Sequence, residues 1–156
     1  MDTLIVTGPI CSGKSTYIAA RVKETDSDAL VLELDKIGHE ILGELYGEVD
    51  RAALADIVFE DPAELAKLEA ELHPRILARA HERAIAFAGA HPNGYVIVEA
   101  ALPLPACNMP EIAQWLATAK THVCEASYEE RLTRALARGM TQHDFERRNR
   151  VQAARQ

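Results

Sequence analysis

Aromatic side chains supply only 5% of this chain, so a groove that stacks nucleic-acid bases on rings is disfavoured. Positive charge is also short. There are 17 Lys and Arg against 24 Asp and Glu, a net charge of −7, which argues against a nonspecific nucleic-acid or membrane-surface binder. No apolar run approaches the ~18 residues of a membrane span, and Met1-Asp2-Thr3-Leu4 has no basic start of a secretion signal. A cytoplasmic protein with no membrane partner is expected. The three cysteines, Cys11, Cys107 and Cys124, include no C-x-x-C pair and are odd in number, which excludes a complete disulfide framework. No His/Cys/Asp/Glu set has zinc spacing either. The 156 residues are enough for one domain with one core.

Against this background one motif stands out. Gly8-Pro9-Ile10-Cys11-Ser12-Gly13-Lys14-Ser15 fits G-x-x-x-x-G-K-[ST] and follows the apolar run Leu4-Ile5-Val6 directly. In such a loop the glycines permit a tight strand-to-helix turn and backbone N–H groups converge on phosphate oxygens. Lys14 then reaches the β- and γ-phosphates, and the Ser15 hydroxyl ligates Mg²⁺. The whole segment from Gly8 to Ser15, with Thr16 beside it, is the candidate nucleotide site. A thiol at Cys11, among N–H donors and near Lys14, is expected to be the most reactive of the three.

Strand-length apolar runs alternate with helical patterns, which predicts a parallel sheet wrapped by helices. The strands are expected at Leu4 to Thr7, Ala29 to Leu34, Tyr95 to Glu99 and Thr121 to Glu125, with the first helix from Lys14 to about Lys23. The stretch from Lys36 to Ala90 carries no strand signal. Within it Asp61-Pro62-Ala63-Glu64 reads as a helix start, and His73-Pro74 as a break between two helices. Trp115 is expected on a short helix after Pro110. Ser127-Tyr128-Glu129-Glu130 and Thr141-Gln142-His143-Asp144 read as capping boxes. The fold class is α/β, a three-layer P-loop NTPase fold with sheet order 2-3-1-4 and an all-helical insertion after strand 2. The expected organisation is a single domain over 1–156, with an acceptor-binding insertion at 36–90 and a lid at 138–152.

Asp35, at the carboxyl end of the second strand, can face a γ-phosphate and accept a proton from an attacking hydroxyl. It could equally cap the helix that follows. Asp35-Lys36-Ile37-Gly38 also matches the D-x-x-G of GTPases, but no N-K-x-D guanine-reading motif exists in the chain. Arg131, Arg134 and Arg138 share a helical face. Arg138 and Arg148 are candidates to clamp phosphates and neutralise charge in the transition state, or to pair with surface carboxylates. Catalytic metal is expected to be Mg²⁺ carried by the nucleotide and held by Ser15.

Several segments resemble, in order and spacing, the dephospho-coenzyme A kinase family. They are Leu34-Asp35-Lys36-Ile37-Gly38-His39-Glu40, Val49-Asp50-Arg51-Ala52-Ala53-Leu54, Val58-Phe59, Lys67-Leu68-Glu69 and His73-Pro74-Arg75-Ile76. Arg138-Gly139-Met140, with Arg148 and Gln152, is similar to that family's lid. The resemblance implies that ATP phosphorylates the ribose 3′-hydroxyl of dephospho-coenzyme A, with Asp35 as base, Lys14 and Arg138 at the phosphates, and His39, Arg51 and His73 facing the acceptor. Glu33 stands where the family usually has Asp, Cys11 where it typically has Gly, and Ala101-Leu102-Pro103 where it has Pro-Leu-Leu. The family pattern continues past Gln156 through a further strand and helix, so by this likeness the chain is a short, divergent member. Two other readings keep the nucleotide but change the outcome: a kinase for another hydroxyl (nucleoside, nucleotide or nucleic-acid base), or a switch module without transfer.

Overall fold

The computed structural model describes residues 1–47, 53, 56, 60–101 and 104–153. Its strands are β1 (Asp2–Gly8), β2 (Ala29–Glu33), β3 (Tyr95–Ala101) and β4 (Lys120–Val123), all parallel and in spatial order β2-β3-β1-β4. That is the order expected from the sequence. The helices are α1 (Lys14–Glu24), α2 (Leu34–Tyr46), α3 (Pro62–Ala90), α4 (Pro110–Thr118), α5 (Tyr128–Ala137) and α6 (Gln142–Ala153).

Strand periodicity divides the core between the two faces of the sheet. Val96 and Val98 of β3 join Ile5 and Leu32 in packing against α2, α3 and α4 through Ile37, Leu77, Ala80 and Trp115. Ile97, between them, turns to the other face with Val6, Cys124 and Ile18 of α1. Strands covered on both faces read as unbroken apolar runs, which is why Leu4-Ile5-Val6 shows no alternation. Trp115 keeps its indole N–H satisfied within the core by donating to Thr3 Oγ1 at 2.9 Å. The register pairs Val6 and Glu33 with Glu99, so β1, β2 and β3 end together at one edge of the sheet. Ligands of open parallel sheets bind at that edge.

The expected caps are present. Asp61 Oδ1 accepts from Ala63 N at 3.0 Å and Glu64 N at 3.4 Å. Ser127 and Glu130 exchange bonds of 3.2 and 2.9 Å in a complete capping box, and Thr141 Oγ1 accepts from Asp144 N at 3.1 Å. Among the described residues no helix is long and apolar enough to cross a membrane.

One expectation fails. His73-Pro74 does not break the insertion into two helices; α3 runs unbroken for 29 residues with Pro74 inside it. Proline there removes one bond, to the carbonyl of Ala70, and costs roughly 3 kcal/mol. The apolar stripe Leu72, Ile76, Leu77, Ala80 and Ala84 is buried on both sides of it, and each large side chain contributes about 1.5–3 kcal/mol. Packing outweighs the break. Pro74→Ala is therefore expected to stabilise the protein by up to about 3 kcal/mol in urea unfolding; a neutral result would mean that the helix is interrupted at Pro74 in solution.

Candidate active site

The phosphate loop leaves β1 at Gly8 and enters α1 at Lys14. Gly8, Cys11 and Gly13 all have positive φ, at 150°, 59° and 97°. At Gly8 no side chain fits: a Cβ would lie 2.5 Å from Cys124 O and 2.6 Å from Ser12 Oγ. Lys14 Nζ lies back across the loop and donates to Gly8 O and Pro9 O, both at 3.1 Å. Burial holds the Lys14 pKa below the usual lysine range, against the raising pull of Glu99 and Asp35. Ser15 and Thr16 stand exposed in the first turn of α1.

Cys11 is the only non-glycine with positive φ among the described residues, a conformation that costs roughly 1–3 kcal/mol unless its surroundings enforce it. Its side chain is 7% exposed and packs with Ala135 of α5 and Phe145 of α6. Arg138 Nη1 also donates to its Sγ at 3.9 Å, so the thiol meets an apolar cluster on one hand and a guanidinium on the other, and the expectation that it is the most reactive cysteine is set against its burial. Cys107 is the more accessible thiol.

A cleft of about 500 Å³ opens at the shared strand edge. Lys14, Asp35 and Glu99 form its base, with Leu65, Glu69, His73 and Ile76 of α3 as one wall. Arg138, Met140, Arg148 and Gln152 close the opposite side. Seven sequence candidates (Ile10, Cys11, Lys14, Asp35, His73, Arg138 and Arg148) therefore share one cavity. His39 is exposed on α2, one turn beyond Asp35, and is not among the lining residues. Arg51 lies outside the described residues. The helix-capping alternative for Asp35 also fails, because Glu33 occupies the N-cap of α2 and Asp35 sits in the first turn. Gly38 of the D-x-x-G match has a packing role, since a Cβ there would press on Ile76 Cδ1 at 3.1 Å.

Sequence reasoning missed Glu99. Burial, and then the Glu33 charge, push its pKa above the usual glutamate range, with Lys14 pulling the other way. Glu33 is held by Lys36 Nζ at 2.6 Å. An acidic residue at the carboxyl end of an otherwise apolar strand was the available signal. Of the three arginines expected on one helical face, Arg131 and Arg134 turn to the loop backbone.

Residues 3–156 match the family described as Dephospho-CoA kinase. The chain belongs to the dephospho-CoA kinase family. The dephospho-CoA kinase of Aquifex aeolicus is 33% identical over an alignment covering 95% of this chain and 79% of its own. That of Deinococcus radiodurans is 37% identical, covering 90% and 70%. A solved Thermus thermophilus structure superposes with a TM-score of 0.63 at 28% identity, covering 96% of this chain and 79% of that one. The dephospho-CoA kinase from Campylobacter jejuni superposes at 0.56 and 24% identity, covering 97% and 80%, which speaks for the fold alone.

As a dephospho-CoA kinase the chain is an ATP- and Mg²⁺-dependent phosphotransferase. The donor set suits both groups. A loop with three positive-φ residues and a half-buried lysine suits phosphate. The Ser15 hydroxyl and a carboxylate at Glu99 whose ionised form burial disfavours suit a hard, oxygen-seeking cation.

Two measurements check this geometry. An alkylating reagent followed by peptide mass spectrometry is expected to label Cys107 ahead of Cys11; the reverse order would place the Cys11 thiol outside its cluster. Because the folded Glu99 pKa is raised, the stability it contributes is present at acidic pH and lost as pH rises through the folded value. Glu99→Gln should accordingly gain stability relative to the parent as denaturation is moved from acidic to neutral pH, and a gap that stays constant would contradict that environment.

Proposed function

We propose that transfer of the ATP γ-phosphoryl group to the ribose 3′-hydroxyl of dephospho-coenzyme A takes place in this cleft, with Asp35 as general base. The supporting observation is that Asp35 and Lys14 line one cavity and interact electrostatically, while α3 supplies a separate wall. The attacking ribose oxygen forms a bond to the γ-phosphorus, the bond to ADP breaks, and the hydroxyl proton goes to the Asp35 carboxylate. Residues Gly8 to Thr16 take the nucleotide phosphates, and Lys14 neutralises charge on the β- and γ-phosphates. Arg138 and Arg148 complete that neutralisation from the opposite side. Ser15 and Glu99 are the residues that would hold Mg²⁺, which would supply further charge neutralisation.

The acceptor enters from the insertion at 36–90, and the 138–152 segment serves as the lid. His73 is the acceptor-side residue the cleft supports. Leu65 and Ile76 beside it offer apolar surface for a pantetheine arm, and contacts with that arm hold the hydroxyl in line with the phosphate.

Asp35→Asn keeps the shape and removes the proton acceptor, so kcat should fall by roughly 10²- to 10⁴-fold with ATP affinity retained. If ATP binding collapses while turnover per bound complex stays normal, the base lies elsewhere. Lys14→Ala, by contrast, is expected to abolish transfer with the fold intact by circular dichroism. Dephospho-coenzyme A should give a higher kcat/KM than adenosine, deoxynucleosides or oligonucleotides, and a better acceptor among these would transfer the assignment to another hydroxyl.

A further inference from the structure

Two arginines on consecutive turns of α5 reach the back of the phosphate loop. Arg134 Nη1 donates to Cys11 O at 3.1 Å and Arg131 Nη1 to Ile10 O at 3.5 Å. Among the described residues no carboxylate forms an ion pair with either. Arg131 is 9% exposed, and its Nε has no hydrogen-bond partner. Its guanidinium lies 5.7 Å over the Phe145 ring, and Nη1 also donates to Asn149 Oδ1 at 2.8 Å. A buried guanidinium such as that of Arg131, with no ion pair among the described residues, is an expensive arrangement. Arg134 is exposed and feels the Glu130 charge one turn away, and both arginines spend an N–H on a peptide oxygen of the loop.

The planar trans peptide turns that bond into an orientation. C=O and N–H of one peptide point to opposite sides. Holding the oxygens of Ile10 and Cys11 toward α5 therefore aims the N–H groups of Cys11 and Ser12 away from it. Successive N–H groups around a left-handed residue, here Cys11 at φ 59°, form an anion-binding concavity. Ser12 N–H now donates to Pro9 O at 3.2 Å, a neutral bond that a charged phosphate oxygen outcompetes.

We propose that Arg131 and Arg134 are positioning residues for nucleotide phosphate: by holding the carbonyls of Ile10 and Cys11 they fix the loop N–H groups on the phosphate side. The inference rests on the reading that ATP binds this loop. It also links the loop to α6, because Arg131 bonds Asn149 and because Ile10 N–H donates to Gln152 Oε1 at 2.8 Å.

The test uses the full chain, measuring ATP·Mg²⁺ affinity by calorimetry, KM for each substrate, kcat and Tm. Arg134 is exposed, so Arg134→Met should fold. It is expected to raise Kd and KM for ATP by about 10- to 100-fold, the loss of a charged hydrogen bond, with KM for dephospho-coenzyme A unchanged. Arg134→Lys should recover most of that loss, since one ammonium suffices for one carbonyl. A lower Tm with unchanged ATP constants would mean that the arginines only brace α5, and the proposal falls. Asn149→Ala provides a second arm: raised ATP KM supports the clasp through Arg131, and an unchanged value removes Arg131 from it. If the parent protein binds no ATP·Mg²⁺, the loop reading itself fails and the clasp with it; if the parent binds and Arg134→Met binds equally, only the clasp fails.

Discussion

A loop that offers its N–H groups to phosphate must find other partners for its carbonyls, because buried peptide oxygens left without donors are costly. Most of this fold's less obvious features answer that constraint. Lys14 Nζ takes the oxygens of Gly8 and Pro9, Ser12 N–H also reaches Pro9 O, Arg131 and Arg134 take those of Ile10 and Cys11, and Tyr17 N–H takes that of Gly13 at 3.0 Å. The donors come from the loop, from α1 and from α5. Loop geometry and the packing of α5 against α6 are thus one problem, and Cys11 joins the two by packing with Ala135 and Phe145.

The same loop sits in an electrostatic balance that favours ligand. Lys14 loses hydration on burial and regains only part of that stabilisation from Glu99 and Asp35. Glu99 is disfavoured as an anion by its own burial and by Glu33. In the proposed complex, polyphosphate would relieve the lysine and a divalent cation the carboxylate, each offsetting an unfavourable feature of the free protein.

These features were unequally legible in the sequence. The loop, Asp61 and the Ser127 box depend on residues close together in the chain, where spacing encodes geometry. Asp35, His73, Arg138 and Arg148 were found, as cavity residues, because a motif or a likeness marked them. Glu99 escaped because its importance comes from strand register, which brings it beside Glu33 and Val6. The positions of Arg131 and Arg134 depend on how α5 lies behind the loop, more than a hundred residues away in sequence. Cys11 misled for a related reason: its neighbours in the chain suggest a reactive thiol, while its neighbours in space bury it.

Pro74 shows the remaining limit and its structural use. A local rule predicts a break, but a break would have to leave half of the stripe from Leu72 to Ala84 without its partners on α2 and the sheet. The continuous helix instead carries Leu65, Glu69, His73 and Ile76 down one side of the cleft and anchors them through Leu77 and Ala80, both fully buried. Arg79 and Arg83 fasten the same helix to Glu44 and Glu40 of α2, but exposed pairs of this kind add little stability. Rigidity of the wall therefore comes from the apolar stripe. Because Asp35 lies in the first turn of α2, which packs along α3, the distance between the proposed base and the proposed acceptor wall is set by core packing and not by a hinge at Pro74.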